Sequence, residues 1–184
     1  TLWLSELPRD AVRALKGQAG AAGLNPRESI VSTPLIARNA DHLSVRSLGD
    51  LYLDTAPYGS HATAADVLRS GVPVLSAQGG TMASRVGSSL LSGGVRMGDS
   101  VVRSWKEMED VALQLVKSIS GANASTGPNP LLSSLRSRLN TVGSDGPALP
   151  LFDGAKGFYS HWEKLTIYRW EVMVAGSGRM HVAL

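Results

Sequence analysis

Residues 51–86 constrain the fold more than any other part of the chain. Two short apolar runs, at 51–53 and 72–75, are each followed by a loop of small residues and then by a helical pattern. The order strand, loop, helix, strand, loop, helix predicts a parallel α/β sheet. In such sheets ligands bind beyond the carboxyl ends of the strands, where helix N-termini point N–H groups at an anion. We therefore expect a ligand site in the loop at residues 56–63.

The residues at this loop suit a nucleoside diphosphate. The first four N–H groups of a helix lack intrahelical partners, and its N-terminus carries roughly +0.5 charge. Gly59 and Ala62 lack bulk, so a phosphate can approach the backbone. His61 and Thr63 can donate hydrogen bonds to phosphate oxygens, and Asp66, one turn further on, can accept the hydroxyl protons of a ribose. The open alternative is a helix capped by Ser60 with a surface histidine beside it.

Two other features near this loop have simpler interpretations. Asp50 and Asp54 lie on one face of the predicted strand about 13 Å apart, which is too far for one metal ion, so both are interpreted as structural. A second helix is predicted at 82–91, with Thr81 as its cap. Arg85 in its first turn can reach a phosphate or pair with an acid.

Composition excludes several classes of protein. The chain has 184 residues, of which 43% are hydrophobic and 18% charged, as in a globular domain. Its net charge of +3 comes from scattered Lys and Arg, so no nucleic-acid partner is expected. It has no cysteine, and no apolar run approaches the roughly 20 residues that span a bilayer, so no membrane partner is expected. Because the sequence begins inside an apolar strand-like run, we expect it to be part of a larger protein.

We predict one lobe in two parts. Residues 1–103 form a Rossmann-like nucleotide-binding lobe, residues 104–176 its C-terminal helical part, and residues 177–184 a loose tail. An amphipathic helix is predicted at 104–118, opened by a capping box. A late helix carries an aromatic stripe, which is interpreted as core or as a lobe contact.

The sequence also resembles a known family. DTAPYGSHATAADVLRSGVPVL, followed by TMASRVGSSLL, resembles the donor-binding half of the O-GlcNAc transferase family. These nucleotide-sugar glycosyltransferases modify serine and threonine of proteins. Their signature is a DT-P strand end, an HTT-x-x-D helix start, a G-x-P-V strand and an ASRV-A-S-L helix. The resemblance implies an α/β fold: a Rossmann-like parallel sheet with flanking helices, the C-terminal lobe of a GT-B glycosyltransferase, plus C-terminal helices.

The resemblance also implies that the lobe at residues 1–103 binds a nucleotide sugar and lacks its start, and it implies which residues form the site. His61, Thr63 and Asp66 match the family residues that hold the donor, with His61 stabilising the leaving diphosphate. Ala62 stands where the family often has a second threonine, so only its backbone contact is retained.

A second group of residues implied by the resemblance surrounds His42, which the sequence places at the start of a short helix at 42–48. A histidine here stacks on the nucleotide base in the family, although an ordinary surface histidine is the alternative. A basic residue that reaches the ribose falls on Asn39, with Arg38 adjacent, and the backbone group that contacts the base falls on Ala37. The family's arginine after the histidine falls on Val45, with Arg46 adjacent.

The implied function is donor binding in an inverting enzyme that moves GlcNAc from UDP-GlcNAc to protein Ser and Thr hydroxyls. The implied chemistry needs no metal and no cofactor besides the donor. An upstream catalytic lobe and TPR repeats are expected as partners, so the chain alone should not turn over. A cytoplasmic or nucleocytoplasmic location is expected.

Three alternatives remain open. A GDP-fucose-dependent protein O-fucosyltransferase is disfavoured by His61, because those members carry a threonine run there. A non-catalytic scaffold is allowed by the departures at Ala62, Asn39 and Val45. The third alternative is a Rossmann-like nucleotide-binding domain of another kind, although the absence of G-x-G-x-x-G after the first strand disfavours a dinucleotide oxidoreductase.

Overall fold

A computed structural model of the chain describes residues 1–6, 8–34, 36–120, 130–140, 149–152 and 154–175. It divides into two compact units, Thr1–Asp50 and Leu51–Leu184. The predicted division between residues 103 and 104 stays a prediction, and the predicted tail at 177–184 lies outside the described residues.

The first unit has two strands with two helices between them and a third helix after them. Its elements are β1 (Leu2–Ser5), α1 (Arg9–Ala21), α2 (Pro26–Ser29), β2 (Ile30–Thr33) and α3 (Asn39–Arg46). β1 and β2 pair in parallel, with Leu2 opposite Ile30. Gly23, at a φ of 80°, follows the end of α1, where a side chain would be strained.

Helix α3 begins earlier than predicted. The sequence placed its start at His42, whereas the helix starts at Asn39, after the extended residue Arg38. The N–H of His42 already donates to the carbonyl of Arg38 at 2.9 Å, so His42 lies within the helix. The predicted start was wrong because no Ser, Thr, Asp or Asn side chain caps this helix, and the usual sequence signal is missing.

The second unit is a parallel sheet with flanking helices. Its elements are β3 (Tyr52–Leu53), α4 (Ala62–Arg69), β4 (Val74–Ala77), α5 (Val86–Ser89), β5 (Val101–Val102), α6 (Trp105–Ser120), α7 (Pro130–Asn140) and α8 (Gly154–Val174). The strand order is β3-β4-β5, and both pairings are parallel. Gly71, at a φ of 74°, makes the turn from α4 into β4. The core of this unit is a cluster of buried apolar side chains: Val67, Leu68, Val72, Val74, Leu91, Val95, Met97 and Leu139.

The helix predicted at 82–91 is interrupted. A 3₁₀ turn at Met82–Ser84 precedes α5, and a π-helical turn at Leu90–Gly94 follows it. Thr81 and Ser84 cap each other reciprocally, which confirms Thr81 as the cap but closes a single short turn. The N–H of Val95 then reaches the carbonyl of Leu90 at 2.9 Å, an i→i+5 bond that widens the last turn.

Helix α6 starts where the sequence predicts. The N–H of Glu107 donates to Ser104 Oγ at 3.1 Å, while the Glu107 carboxylate accepts from the N–H of Arg103 at 2.7 Å. The predicted capping box is therefore formed with one difference: the Glu107 carboxylate accepts from the N–H of Arg103 and not from that of Ser104. On the exposed face, a hydrogen bond to Asp110 and a weaker one to Glu109 raise the pKa of Lys106 above its ordinary value.

The aromatic residues of α8 do not form a core. Tyr159, Trp162, Tyr168 and Trp170 are all at least half exposed. For the described side chains the interpretation as core is wrong: they are left exposed, and Tyr168 and Trp170, two positions apart, point to nearly opposite sides of the helix, so no single face can bury both. The interpretation as a lobe contact stays a prediction. Within the described ranges, no helix combines the length and apolar character that crossing a membrane requires.

Candidate functional site

A buried carboxylate holds the loop between β3 and α4. Asp54, only 3% exposed, follows β3 directly. Its Oδ1 accepts a hydrogen bond from the N–H of Ser60 at 2.6 Å, and its Oδ2 accepts one from Ser76 Oγ at 2.7 Å. The structural interpretation of Asp54 is confirmed: it joins the loop to the carboxyl end of β4.

Two glycines permit this close packing. The N–H of Gly59 donates to the carbonyl of Ala83 at 3.0 Å, and a Cβ on Gly59 would lie 3.2 Å from that same oxygen. A Cβ on Gly87 would collide with Oδ2 of Asp54 and lie 2.7 Å from Ser76 Oγ. The loop, which also contains a cis Ala56–Pro57 peptide bond, is therefore packed closely against the segment that follows β4.

The N-terminus of α4 carries no side-chain cap. His61 is the residue that precedes the helix, and its side chain makes no capping hydrogen bond. The alternative with Ser60 as the cap is wrong, because the N–H of Ser60 is bound to Asp54 and its Oγ lies 2.7 Å from the Tyr52 hydroxyl. Ala62 is exposed in the first turn, while Thr63 is half-buried, as is Asp66. The first N–H groups of α4 are thus available to an anion.

The ring of His61 is held on both sides. Its Nε2 lies 3.1 Å from the carbonyl oxygen of Ala83, and since a carbonyl only accepts, Nε2 carries the hydrogen and donates it. Its Nδ1 lies 3.4 Å from the Tyr58 hydroxyl, and the two rings stack with centroids 4.7 Å apart at 27°. Because Nε2 is committed to Ala83, Nδ1 is the ring nitrogen that could bind a ligand in place of the Tyr58 hydroxyl; it accepts when the ring is neutral and donates when it is protonated.

A second loop, at residues 78–81, follows β4. Arg85 donates from Nε to the carbonyl of Gly79 at 2.9 Å, so part of its guanidinium supports this loop. This hydrogen bond is a third role for Arg85, different from the two that the sequence predicts, which are contact with a phosphate and pairing with an acid.

The remaining predicted site residues lie in the first unit. Ala37 and Arg38 are exposed, and Arg38 makes a 3.6 Å ion pair with Asp41. Asn39 is the first residue of α3, and its side chain lies outside the described part. His42 is half-buried, and its Nε2 accepts a hydrogen bond from Arg46 Nε at 2.6 Å.

The predicted residues therefore form two local groups. His61, Ala62, Thr63 and Asp66 share one loop–helix junction, and the residues from Ala37 to His42 share the start of α3. Sequence reasoning missed the contacts of Tyr58 and of the Ala83 carbonyl with His61, for which no sequence signal exists. The sequence did contain one indication of the His42–Arg46 hydrogen bond, because residues four positions apart on a helix lie next to each other. Among the residues that the structure describes, no group of three or more His, Cys, Asp or Glu side chains could hold a metal ion.

This fold defines a class of protein. The chain superposes on a mutant of the Thermobaculum terrenum O-GlcNAc transferase with a TM-score of 0.57 and 30% identity, over 71% of this chain and 22% of that one. Parallel sheets with flanking helices and this match confirm the predicted α/β fold of the GT-B glycosyltransferase type.

The family follows from the sequence comparisons. The pattern of glycosyl transferase family 41 matches residues 1–125. The chain belongs to this family, which confirms the resemblance. Among its relatives are two proteins described as probable UDP-N-acetylglucosamine–peptide N-acetylglucosaminyltransferases. They are SPINDLY of Solanum lycopersicum, 36% identical over 73% of this chain, and SEC of Arabidopsis thaliana, 34% identical over 62%. The chain spans only 13% and 12% of the lengths of these relatives.

Proposed function

We propose that the chain is the donor-binding lobe of an inverting glycosyltransferase that moves GlcNAc from UDP-GlcNAc to Ser and Thr hydroxyls of proteins. Family membership supports this proposal. The observation that carries it is the start of α4, an uncapped helix N-terminus beyond the carboxyl end of β3, held in place by Asp54.

The diphosphate of the donor is proposed to bind at this helix start. During transfer the bond from the sugar to the diphosphate breaks, and negative charge grows on the departing UDP. Backbone N–H groups at Ala62 and Thr63 stabilise this charge without reorganising, because α4 and its loop are already fixed. The Thr63 hydroxyl and His61 Nδ1–H, when the ring is protonated, add donors, and Asp66 accepts hydrogen bonds from the ribose.

The nucleotide base is proposed to bind at the start of α3. His42 stacks on the base, and the backbone of Ala37 contacts its edge. The ribose is reached by the side chain at 39 or by its neighbour Arg38. An asparagine at 39 offers a neutral donor where a basic residue would offer a charge.

The remaining parts of the activity are proposed to lie with partners. An upstream catalytic lobe completes the site, and TPR repeats recruit the protein acceptor, so the chain alone binds donor without turnover. No metal is needed, since helix N–H groups and His61 offset the leaving-group charge. We propose a cytoplasmic or nucleocytoplasmic location, where protein acceptors of such an enzyme would be met.

Calorimetric titration of the intact protein that carries this sequence tests the proposal. UDP and UDP-GlcNAc should bind, and GDP should bind more weakly. His61→Ala should lower the affinity for UDP about tenfold, because one charge-assisted hydrogen bond is lost. His161→Ala, a histidine on α8 outside the proposed site, is the matched control and should bind UDP as the unsubstituted protein does.

Three results would count against the proposal. Preference for GDP would favour a fucosyl donor, and absence of nucleotide binding by the folded protein would remove the donor site. UDP-GlcNAc binding without transfer to a Ser- and Thr-containing acceptor protein would favour a non-catalytic relative.

A further inference from the structure

A short hydrogen bond on α3 joins His42 to Arg46. Nε of Arg46 lies 2.6 Å from Nε2 of His42, one helical turn apart, and both side chains are half-buried. We propose that Arg46 is a positioning residue that fixes the ring of His42 for stacking on the pyrimidine base of the donor. This inference rests on the proposed role of His42 as the base-stacking residue.

The chemistry of the pair fixes both the ring nitrogens and the ring plane. A guanidinium has five N–H donors and no acceptor, so Nε2 of His42 must accept and the ring hydrogen lies on Nδ1. The hydrogen bond also removes the freedom of the ring to rotate about its bond to Cβ. A ring whose plane is set before the ligand arrives loses less conformational entropy when a base stacks on it.

The contrast with Arg38 shows that this pair is unusual on α3. Arg38, at 81% exposure, forms only a 3.6 Å ion pair with Asp41, itself 53% exposed. Such a solvated pair orders its side chains little. The His42–Arg46 contact is 1 Å shorter and half-buried, which is what an ordered side-chain pair requires.

Arg46 lies one position beyond the residue at which the family's base-contacting arginine would fall. The residue that follows His42 by three is Val45, which offers no hydrogen bond, and Arg46 follows it by four. With its Nε committed to Nε2 of His42, Arg46 acts on the base through the histidine. In the proposed base site, the ring of His42 therefore contacts the base, and the guanidinium of Arg46 supports that ring.

Two substitutions of nearly equal shape separate the hydrogen bond from the charge. In Arg46→Gln the side-chain amide nitrogen lies the same number of bonds from Cα as Nε of arginine, so an N–H donor is kept and the charge is lost. In Arg46→Met a methyl group occupies that position, so both are lost. UDP affinity measured by calorimetry on the intact protein should stay within about twofold for Arg46→Gln and fall about fivefold for Arg46→Met.

A double-mutant cycle then tests whether Arg46 acts through His42. Adding Arg46→Met to His42→Ala should cause no further loss of UDP affinity, since the ring to be positioned is gone. A further loss in that background, or equal losses for Arg46→Gln and Arg46→Met, would overturn the inference in favour of a direct charge contact with the nucleotide. Arg13→Met, an exposed arginine on α1, is the control for loss of charge and should not change affinity.

Nitrogen NMR of the His42 ring without ligand separates this inference from the proposed function. The ring should be in the Nδ1–H form in the unsubstituted protein and in Arg46→Gln, and should become a mixture of tautomers in Arg46→Met. An unchanged tautomer in Arg46→Met would overturn the positioning role even if UDP binds. A different result would contradict the base-stacking role instead: the tautomers are as expected, but His42→Ala does not change UDP affinity. Arg46 would then order the His42 ring without any effect on nucleotide binding.

Discussion

The two groups of residues that we propose bind the donor belong to different units and are built in different ways. The loop at residues 54–61, where we propose that the diphosphate binds, is held by a buried carboxylate and by backbone hydrogen bonds, with little room for a side chain at Gly59 and none at Gly87, which packs against it. The start of α3, where we propose that the base binds, carries the hydrogen bond between the half-buried side chains of His42 and Arg46, next to the exposed Arg38.

The difference fits the two ligand groups that we propose for them. A diphosphate presents fixed charge and needs N–H groups whose positions do not change, which backbone geometry supplies. A base presents a flat face that one aromatic ring can meet. The loop–helix junction keeps the DT, His, Thr and Asp of the family signature and departs from it at Ala62, where a backbone contact is retained, whereas the departures at Asn39 and Val45 lie on α3.

The largest expected effect is loss of the buried carboxylate. Asp54→Ala leaves the N–H of Ser60 and the hydroxyl of Ser76 without their partner, so the free energy of unfolding should fall by about 3 kcal/mol. Asp54→Asn keeps one acceptor and should lose about half as much. Denaturant unfolding checks both values, and an unchanged midpoint in Asp54→Ala would show that the loop does not depend on this residue.

Crowding the same carboxylate should cost somewhat less. Gly87→Ala places a Cβ against Oδ2 of Asp54 and should lower the free energy of unfolding by about 2 kcal/mol. Gly93→Ala, where a Cβ meets nothing within 4 Å, is the control and should be close to neutral. In the Asp54→Ala background Gly87→Ala should cost clearly less, since only the contact of its Cβ with Ser76 Oγ at 2.7 Å remains, and full additivity there would contradict the proposed clash with Asp54.

A charge at the helix start should separate binding from stability. Ala62→Asp places a carboxylate in the first turn of α4, which favours the helix by about 0.5 kcal/mol but repels a diphosphate, so UDP affinity should fall about tenfold or more. Ala62→Asn has nearly the same shape without the charge and should bind within about threefold of the original. Equal affinities for the two variants, measured by calorimetry, would place the diphosphate elsewhere.

The smallest expected effect concerns the ring beside His61. Tyr58→Phe keeps the stacked ring and removes the hydroxyl 3.4 Å from Nδ1, so UDP affinity should change by less than about twofold. Tyr58→Ala also removes the stacking partner and should have the larger effect on affinity. Titrations of both variants would contradict the account if Tyr58→Phe were the more damaging.

The sequence predicted the sheet and the helix starts near residues 62 and 104, because apolar periodicity and local caps report local structure. It misplaced the start of α3 and missed the interruption between Met82 and Gly94, since an uncapped start and an i→i+5 bond leave no local pattern. The predicted aromatic core of α8 failed for a related reason. Apolar composition does not reveal whether other residues cover a helix face.

The candidate site shows the same division. His61, Ala62, Thr63 and Asp66 follow from the loop–helix pattern and the family signature. The hydrogen bond from His61 to the Ala83 carbonyl joins residues 22 positions apart, and no spacing rule could have predicted it. The contact between Arg46 and His42 lies within one helical turn and was within reach of the sequence.

Titration of UDP and of uridine against His61→Ala and His42→Ala tests the division of the site most directly. The account predicts that His61→Ala weakens UDP about tenfold and leaves uridine unchanged, because His61 meets only the diphosphate. His42→Ala should weaken both ligands by the same factor, since both carry the base. Equal losses of UDP and uridine in His61→Ala would contradict the assignment of the diphosphate to the start of α4.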